Sequence, residues 1–268
     1  MQEEKKAVQE FWQRASCGED LYLAGLSEDD YRAHARHRYT LEPYIERFAE
    51  FGQTRGKRVL EIGVGLGADH QRFAEAGAVL TGIDLTPRAV EHARRRLGLF
   101  GLQSSLSTGD GEALPFASES FEVVYSWGVL HHSPDTPLAI REVHRVLVPG
   151  GEARIMVYHT WSLVGYMLWL RYGLGRLRPW TSLREIYATY LESPGTKAYT
   201  EAEARELFAA FSQVEIETVL THGDLLESAA GQRHRGMILR LARLLWPRPI
   251  LRRLFRGHGL FMLIKATK

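Results

Sequence analysis

Cysteine is almost absent: Cys17 is the single one in 268 residues. That excludes an intramolecular disulfide framework and any zinc site built on several thiolates. It fits a reducing, cytoplasmic setting. The histidines are scattered without ligand-like spacing among carboxylates, so no metal is expected. No stretch reaches the roughly 18 apolar residues that would span a bilayer. The longest apolar runs, Trp161–Leu170 and Met237–Trp246, are far shorter. The opening Met-Gln-Glu-Glu-Lys-Lys precedes no apolar h-region, so no secretory signal is expected. Internal repeats and low-complexity tracts are also missing. Acidic residues are missing locally: from Arg233 to Lys268 there is no Asp or Glu, against ten Arg and Lys. Such asymmetry is either a solvated face or a surface for an anionic partner.

What is present alternates. Residues 1–55 read as polar helices, with a break around Cys17–Asp20 and another near Pro43. Then come a short β-rich run, Arg58–Ile62, a helix over Ala68–Ala76, and a second strand over Val79–Asp84. Thr86-Pro87, an N-cap followed by a proline at the first helical position, opens a helix to about Gly98. Strands over Leu102–Thr108 and Phe121–Ser126 follow. Thr136-Pro137 opens a helix closed by Pro149-Gly150-Gly151, and Glu152–Tyr158 is a fifth strand. Thr200 with Glu203 makes a capping box. Val214–Leu220 and Leu260–Lys265 complete seven strands. Strands alternating with helices predict an α/β fold: a mostly parallel sheet with right-handed crossovers and helices on both faces.

The sharpest motif is Val59-Leu60-Glu61-Ile62-Gly63-Val64-Gly65-Leu66-Gly67, a strand running into a glycine turn and then a helix. Glycines serve where backbone turns tightly and a ligand comes close. Gly63, Gly65 and Ala68 also satisfy the dinucleotide pattern, and Asp84 sits about twenty residues on, as a ribose-binding carboxylate does. An NAD(P)-dependent oxidoreductase is therefore one reading. Glu61 favours another: a carboxylate beside the turn attracts a cationic ligand such as S-adenosylmethionine and repels a pyrophosphate.

Four further blocks accompany the turn: TGIDLT (81–86), GDGEALPF (109–116), FEVVYSWGVLHH (121–132) and REVHRVLVPGG (141–151). With them the chain resembles class I S-adenosylmethionine-dependent methyltransferases of the type 11 domain, which include enzymes of ubiquinone and menaquinone biosynthesis. The likeness covers about residues 58–158. It implies a Rossmann-like seven-stranded sheet of order 3-2-1-4-5-7-6, with the cofactor converted to S-adenosylhomocysteine. It also implies site residues. Glu61 and Gly63 would hold the methionine amino group, and Gly65 and Gly67 would give backbone clearance. Asp84 would bind the ribose, with Leu85 against the adenine. Asp110 would accept from the adenine amino group, with Gly111 and Glu112 beside the ring. Ser126 and Trp127 would close the methionine end. Plainer roles compete: Asp84 as a helix cap, Glu112 as a solvated charge, Trp127 as core.

Methyl transfer from a sulfonium needs positioning and a dry site, and a hydroxyl or carbon acid also needs a base. His131 and His132, just past the fourth strand, are the first candidates, alongside Tyr158 on the fifth. His159, then His222 and Asp224, come next. Structural packing is the competing role for each. Arg38 and Tyr39 read mainly as helix packing. Residues 1–55 are expected to form a helical lid. Residues 56–268 are expected to form the catalytic domain, with cap inserts at about 161–200 and 222–258. Both inserts are apolar and basic, which points to a small apolar, aromatic or lipid-like acceptor at O, N or C. The second insert, with Arg240 and Arg243 opposite Met237, Ile238, Leu241, Leu244 and Leu245, reads as a cap or as a helix in contact with a membrane surface. Nucleic acid is disfavoured: after strand four stands Ser126-Trp127-Gly128-Val129, not an Asn/Asp-Pro-Pro-aromatic motif. A catalytically silent cofactor-binding scaffold is the alternative from another class.

Overall fold

Apolar residues alternate along the central strands, and the two sets go to opposite faces. In β1 (Arg58–Ile62), Leu60 and Ile62 enter one core and Val59 the other. In β4 (Phe121–Trp127), Val124 faces the first core, while Val123 and Tyr125 face the second. Successive side chains of a strand point to opposite faces, so a sheet covered on both sides reads as a near-continuous apolar run. Fully burying one such Leu or Ile contributes about 1.5–3 kcal/mol.

The computed structural model describes residues 2–227 and 246–268. Seven strands form one sheet in the order β3-β2-β1-β4-β5-β7-β6. The others are β2 (Val79–Asp84), β3 (Ser105–Thr108), β5 (Leu147–Tyr158), β6 (Gln213–Val219) and β7 (Phe261–Thr267). Only β7 runs against its neighbours. The expected Rossmann-like α/β sheet and its order are what the chain adopts.

Four helices precede the sheet: α1 (Gln2–Arg14), α2 (Glu19–Tyr22), α3 (Glu28–Leu41) and α4 (Tyr44–Ala49). The breaks fall where Gly18 takes φ +75 and where Pro43 stands. α5 (Ala68–Glu75) and α6 (Pro87–Leu99) follow β1 and β2. α7 (Thr136–Val146) packs Ala139, Ile140 and Val143 on the first core. Its N-cap is Asp135, whose side chain accepts from Leu138 N, so Thr136 is already inside the helix. β5 begins earlier than the sequence pattern indicates. Leu147 pairs with Phe121, and the register shifts before Val123 meets Glu152. Gly150, at φ +76, carries the chain through that irregularity, so Pro149-Gly150-Gly151 is a bulged strand start and not a helix stop.

The first insert folds as α8 (Leu163–Tyr172), a 3-10 turn over Leu174–Arg176, and α9 (Leu183–Tyr190). α10 (Glu201–Leu207) starts at the Thr200–Glu203 capping box. In the second insert, α11 (Arg248–Leu254) packs Leu251 against Leu163 and Leu225. The stretch read as an amphipathic helix lies outside the described residues over 237–245.

One buried cation binds several of these pieces. Arg96 on α6 is fully buried and donates to Gln71 Oε1 (2.6 Å), to the Leu66 carbonyl (3.2 Å) and to the Tyr31 carbonyl (3.0 Å). It thus fixes the glycine turn to α3, α5 and α6. Burial lowers it from the ordinary arginine value to about 10.

Candidate active site

The carboxyl ends of β1, β2, β4 and β5 open into one cavity of about 1170 Å³. Open parallel sheets place ligands there, where the strand order reverses. The glycine turn forms its floor. Gly63 takes φ +85, and a Cβ on it would fall 2.1 Å from Val129 Cγ2, so no side chain fits. Gly65 takes φ +49, and nothing lies within 4 Å of where its Cβ would be. Backbone there faces open space, as a cradle for a ligand requires.

Asp84 stands beside it at the end of β2. Its Oδ2 accepts from Gly65 N at 3.2 Å, and its Oδ1 accepts from Thr86 N and Thr86 Oγ1, both at 2.9 Å. These bonds fix the carboxylate facing the cavity. The cap of α6 is a separate group: Thr86 Oγ1 accepts from Ala89 N. Burial raises the Asp84 carboxyl, against those hydrogen bonds.

Glu61 is buried and paired with His70 Nδ1 at 2.7 Å, while His70 Nε2 meets Ser104 Oγ at 2.7 Å. Burial drives His70 down to about 3, so it is neutral. Burial and the nearby Asp69 and Asp84 push the Glu61 carboxyl well above its ordinary value. An ammonium or sulfonium entering the cavity would hold it ionised. The floor therefore suits a ligand with a vicinal diol and a cationic end, which describes S-adenosylmethionine.

Residues 60–155 match the methyltransferase domain family of type 11. Residues 60–155 are thus a class I S-adenosylmethionine-dependent methyltransferase domain. The chain is 36% identical over 130 residues to a demethylmenaquinone methyltransferase of Tropheryma whipplei, covering 47% of this chain and 53% of that one. It is 40% identical over 134 residues to a probable phthiotriol/phenolphthiotriol dimycocerosates methyltransferase 2 of Mycobacterium ulcerans, covering 49% and 48%. The chain thus spans about half the length of the curated relatives it matches. Haemonchus contortus phosphoethanolamine N-methyltransferase 2, solved with phosphomonomethylethanolamine and S-adenosylhomocysteine, shares the fold with a TM-score of 0.62 at 17% identity. That match covers 97% of this chain and 60% of that one.

Around this methyltransferase domain the other candidates fall into two groups. Leu85, Asp110, Gly111, Glu112 and Trp127 line the cavity, as do Gly67, His132 and Tyr158. Ser126 and His131 do not. Ser126 is fully buried and donates its hydroxyl to the Ile62 carbonyl at 2.9 Å, so it braces the glycine turn from behind. His131 is fully buried against Tyr158, with ring centroids 4.0 Å apart, and burial holds it neutral. Trp127 both lines the cavity and stacks on Tyr44. Glu112 accepts from Asp135 N at 2.9 Å and from Ser133 Oγ, which ties its loop to the start of α7. Asp224 is absorbed by structure: it accepts from Thr221 N, Thr221 Oγ1, Leu260 N and Val164 N. His222 lines the cavity, while His159 is buried near the Gly259 carbonyl.

The N-terminal helices supply what the motifs did not name. Lys5 on α1 bridges Asp110 (2.5 Å) and Glu112, and Gln9 donates to the Leu85 carbonyl at 3.0 Å. Arg38 on α3 forks onto Asp69 at 3.1 and 2.7 Å, and Tyr39 and Tyr125 donate to the same carboxylate. Burial alone would raise Asp69, but Arg38 and these donors hold it below its ordinary value. Arg38 and Glu42 also face the cavity. Glu192, just past α9, also lines the cavity, and residue spacing offers no signal for it or for Glu42, because each comes from an element outside the motif block.

Proposed function

We propose that this protein transfers a methyl group from S-adenosylmethionine to a small apolar, aromatic or lipid-like acceptor. The observation that carries this reading is the cavity itself. At about 1170 Å³ it exceeds the usual 300–1,000 Å³ of a single small-molecule site. Beyond the glycine turn its wall is formed by Val8, Phe11 and Trp12 of α1, Met167 and Leu168 of α8, and Trp246. Apolar walls recruit apolar matter and exclude water, which strengthens every polar contact inside. The two sequence relatives are named for demethylmenaquinone and, as a probable activity, for phthiotriol/phenolphthiotriol dimycocerosates, which supports that class.

Asp84 would hold the ribose, Glu61 and the turn glycines the methionine end, and Asp110 the adenine. Leu85, Gly111, Glu112 and Trp127 would complete the pocket. The cofactor supplies an activated methyl group; the chain supplies orientation and dryness. Residues 1–55 would act as a lid, since α1 reaches across the site through Lys5 and Gln9. His132 and Tyr158 are the catalytic candidates on the wall, with His131 behind them. Membrane contact through the basic, apolar inserts would bring a lipid-like acceptor to the cavity.

The test is incubation with methyl-labelled S-adenosylmethionine and a cytosol-plus-membrane extract, followed by phase partition. Label should enter the organic phase and be absent with Asp84→Ala. Label confined to the aqueous phase would overturn the apolar-acceptor reading. NADH binding without S-adenosylmethionine binding would overturn the methyltransferase reading as well.

A further inference from the structure

Histidines that look scattered along the chain meet a carboxylate at one place in the fold. His131 and His132 stand together in the 3-10 turn Leu130–His132 after β4, and Glu192 reaches them from the segment after α9. One donor atom from each residue lies within 4.8 Å of the other two. No other set of three His, Cys, Asp or Glu among the described residues converges in this way. Both rings are buried, at 0% and 5% exposure. Neither ring nitrogen of His131 has a hydrogen-bond partner among the described residues, and nor has His132 Nε2. Buried polar atoms left so mark a place where a water, an ion or a ligand completes the set.

The spacing suits an ion. Zinc ligands sit about 2.0–2.2 Å from the metal, so two of them at a tetrahedral angle lie about 3.4 Å apart. His132 Nε2 and Glu192 Oε2 are 3.3 Å apart. The surroundings suit it too. A metal-bound histidine passes its other N–H to a fixed acceptor, which sets its tautomer and ring orientation. Before binding, either nitrogen of His132 can carry the proton. An ion on Nε2 places it on Nδ1, which lies 2.9 Å from Ser193 Oγ and 3.1 Å from Thr196 Oγ1. Thr196 gives its own proton to the Ser193 carbonyl at 2.7 Å, so its oxygen is ready to accept. Tyr158 donates to Glu192 Oε2 at 2.6 Å and orients the carboxylate. His132 and Glu192 line the cavity, while His131 is fully buried behind them.

We propose that His131, His132 and Glu192 bind one divalent transition-metal ion in the cavity wall, with a fourth position turned to the cavity for water or a ligand oxygen. Two imidazoles and one carboxylate select Zn²⁺ or a neighbouring transition metal over Mg²⁺ and Ca²⁺, which take oxygen ligands. A dication beside one carboxylate leaves a single positive charge in an apolar wall, so the fourth position favours an anionic or strongly dipolar oxygen. The ion takes the Nε2 lone pair. His132 is then a ligand and not a proton acceptor, and Tyr158 is left as the protic group on that wall. The site stands independently of the methyltransferase reading.

The test uses the full, untagged chain, freed of metal by chelation and dialysis and titrated with CoCl₂, then with ZnCl₂. One Co²⁺ per chain should bind with the intense visible bands of a four-coordinate ion, and one equivalent of Zn²⁺ should erase them. His132→Ala and Glu192→Gln should each weaken Co²⁺ binding at least ~100-fold. Ser193→Ala with Thr196→Val keeps all three ligands and should weaken it about tenfold, as loss of the outer hydrogen bonds does. Circular dichroism checks that each variant folds. Glu192→Gln keeps an acceptor for Tyr158, so it carries the test if the histidine variant does not fold. Binding that never saturates near one equivalent overturns the proposal, as do the faint bands of six-coordinate Co²⁺. Equal affinity in parent and Glu192→Gln would mean an adventitious ion only. S-adenosylmethionine titrated into the metal-free parent by calorimetry reads the cofactor site separately.

Discussion

At the scale of single residues, the motifs exposed the floor of the site and hid its walls. Glu61, Gly63, Gly65 and Asp84 lie within one strand–turn–helix–strand unit whose spacing follows from local geometry, so the sequence marks them as candidates. Glu42 illustrates the opposite case. It is an ordinary helix-end acid by sequence, but the fold buries it beside the cavity and pushes its carboxyl up from 4.5 to about 7. Nearby Asp69 and Glu192 add to that shift and Arg38 opposes it. A carboxyl whose folded value lies above its unfolded one holds its proton longer when folded. The folded state therefore binds more protons between pH 4.5 and 7, and its stability falls as pH rises through that window. Glu42→Gln removes this dependence. Relative to the parent, the variant should gain stability with rising pH, up to about 3 kcal/mol by pH 7.5. Urea unfolding at pH 4.5, 6 and 7.5 measures the trend, and a difference constant with pH would refute it.

At the scale of elements, period-two alternation and capping residues made most strands and helices legible, while their ends followed tertiary geometry. Asp135 and not Thr136 caps α7 because its side chain meets Leu138 N. The role of α1 was legible only as polarity. In the fold it lies across the site, with Lys5 bridging two carboxylates of the loop after β3. This pair is partly exposed, so it contributes little to stability, within about 1 kcal/mol. Its effect should instead be kinetic if α1 is a lid. Lys5→Ala should melt within a few degrees of the parent but release S-adenosylhomocysteine several-fold faster in a stopped-flow displacement. Equal release rates would make α1 ordinary packing. Removing the clamp of α3 on α5 should act in the reverse way. Asp69→Ala leaves Arg38 with Glu42 Oε2, at 3.3 Å, as its remaining counter-charge and Tyr39 and Tyr125 without their shared acceptor, and should lower stability by roughly 3 kcal/mol in urea.

At the scale of the whole molecule, the sequence displayed an apolar, basic composition in both inserts but could not show which residues would be covered. The structure leaves several exposed on the first insert: Trp180 is 78% accessible and Leu177 83%, with Trp161 and Leu174 about half. Arg171, Arg176 and Arg178 stand among them in sequence. On α11, Ile250 and Leu254 are exposed beside Arg252 and Arg253. Apolar side chains with interleaved cations suit the headgroup layer of an anionic bilayer, where rings enter the interface and arginines meet phosphates. No helix among the described residues is long and apolar enough to cross a membrane, so contact would be at the surface. The same two inserts furnish α8 and Trp246 to the cavity wall, which places the proposed membrane face next to the space an apolar acceptor would enter. Flotation with phosphatidylglycerol-containing vesicles should carry the protein upward, less so at high salt. Leu177→Glu with Trp180→Glu should abolish flotation and raise KM for a vesicle-borne acceptor. It should leave turnover of a short water-soluble one intact. Equal flotation with neutral vesicles at high salt, or none with either, would mean that the arginines face water and the inserts serve only as a roof.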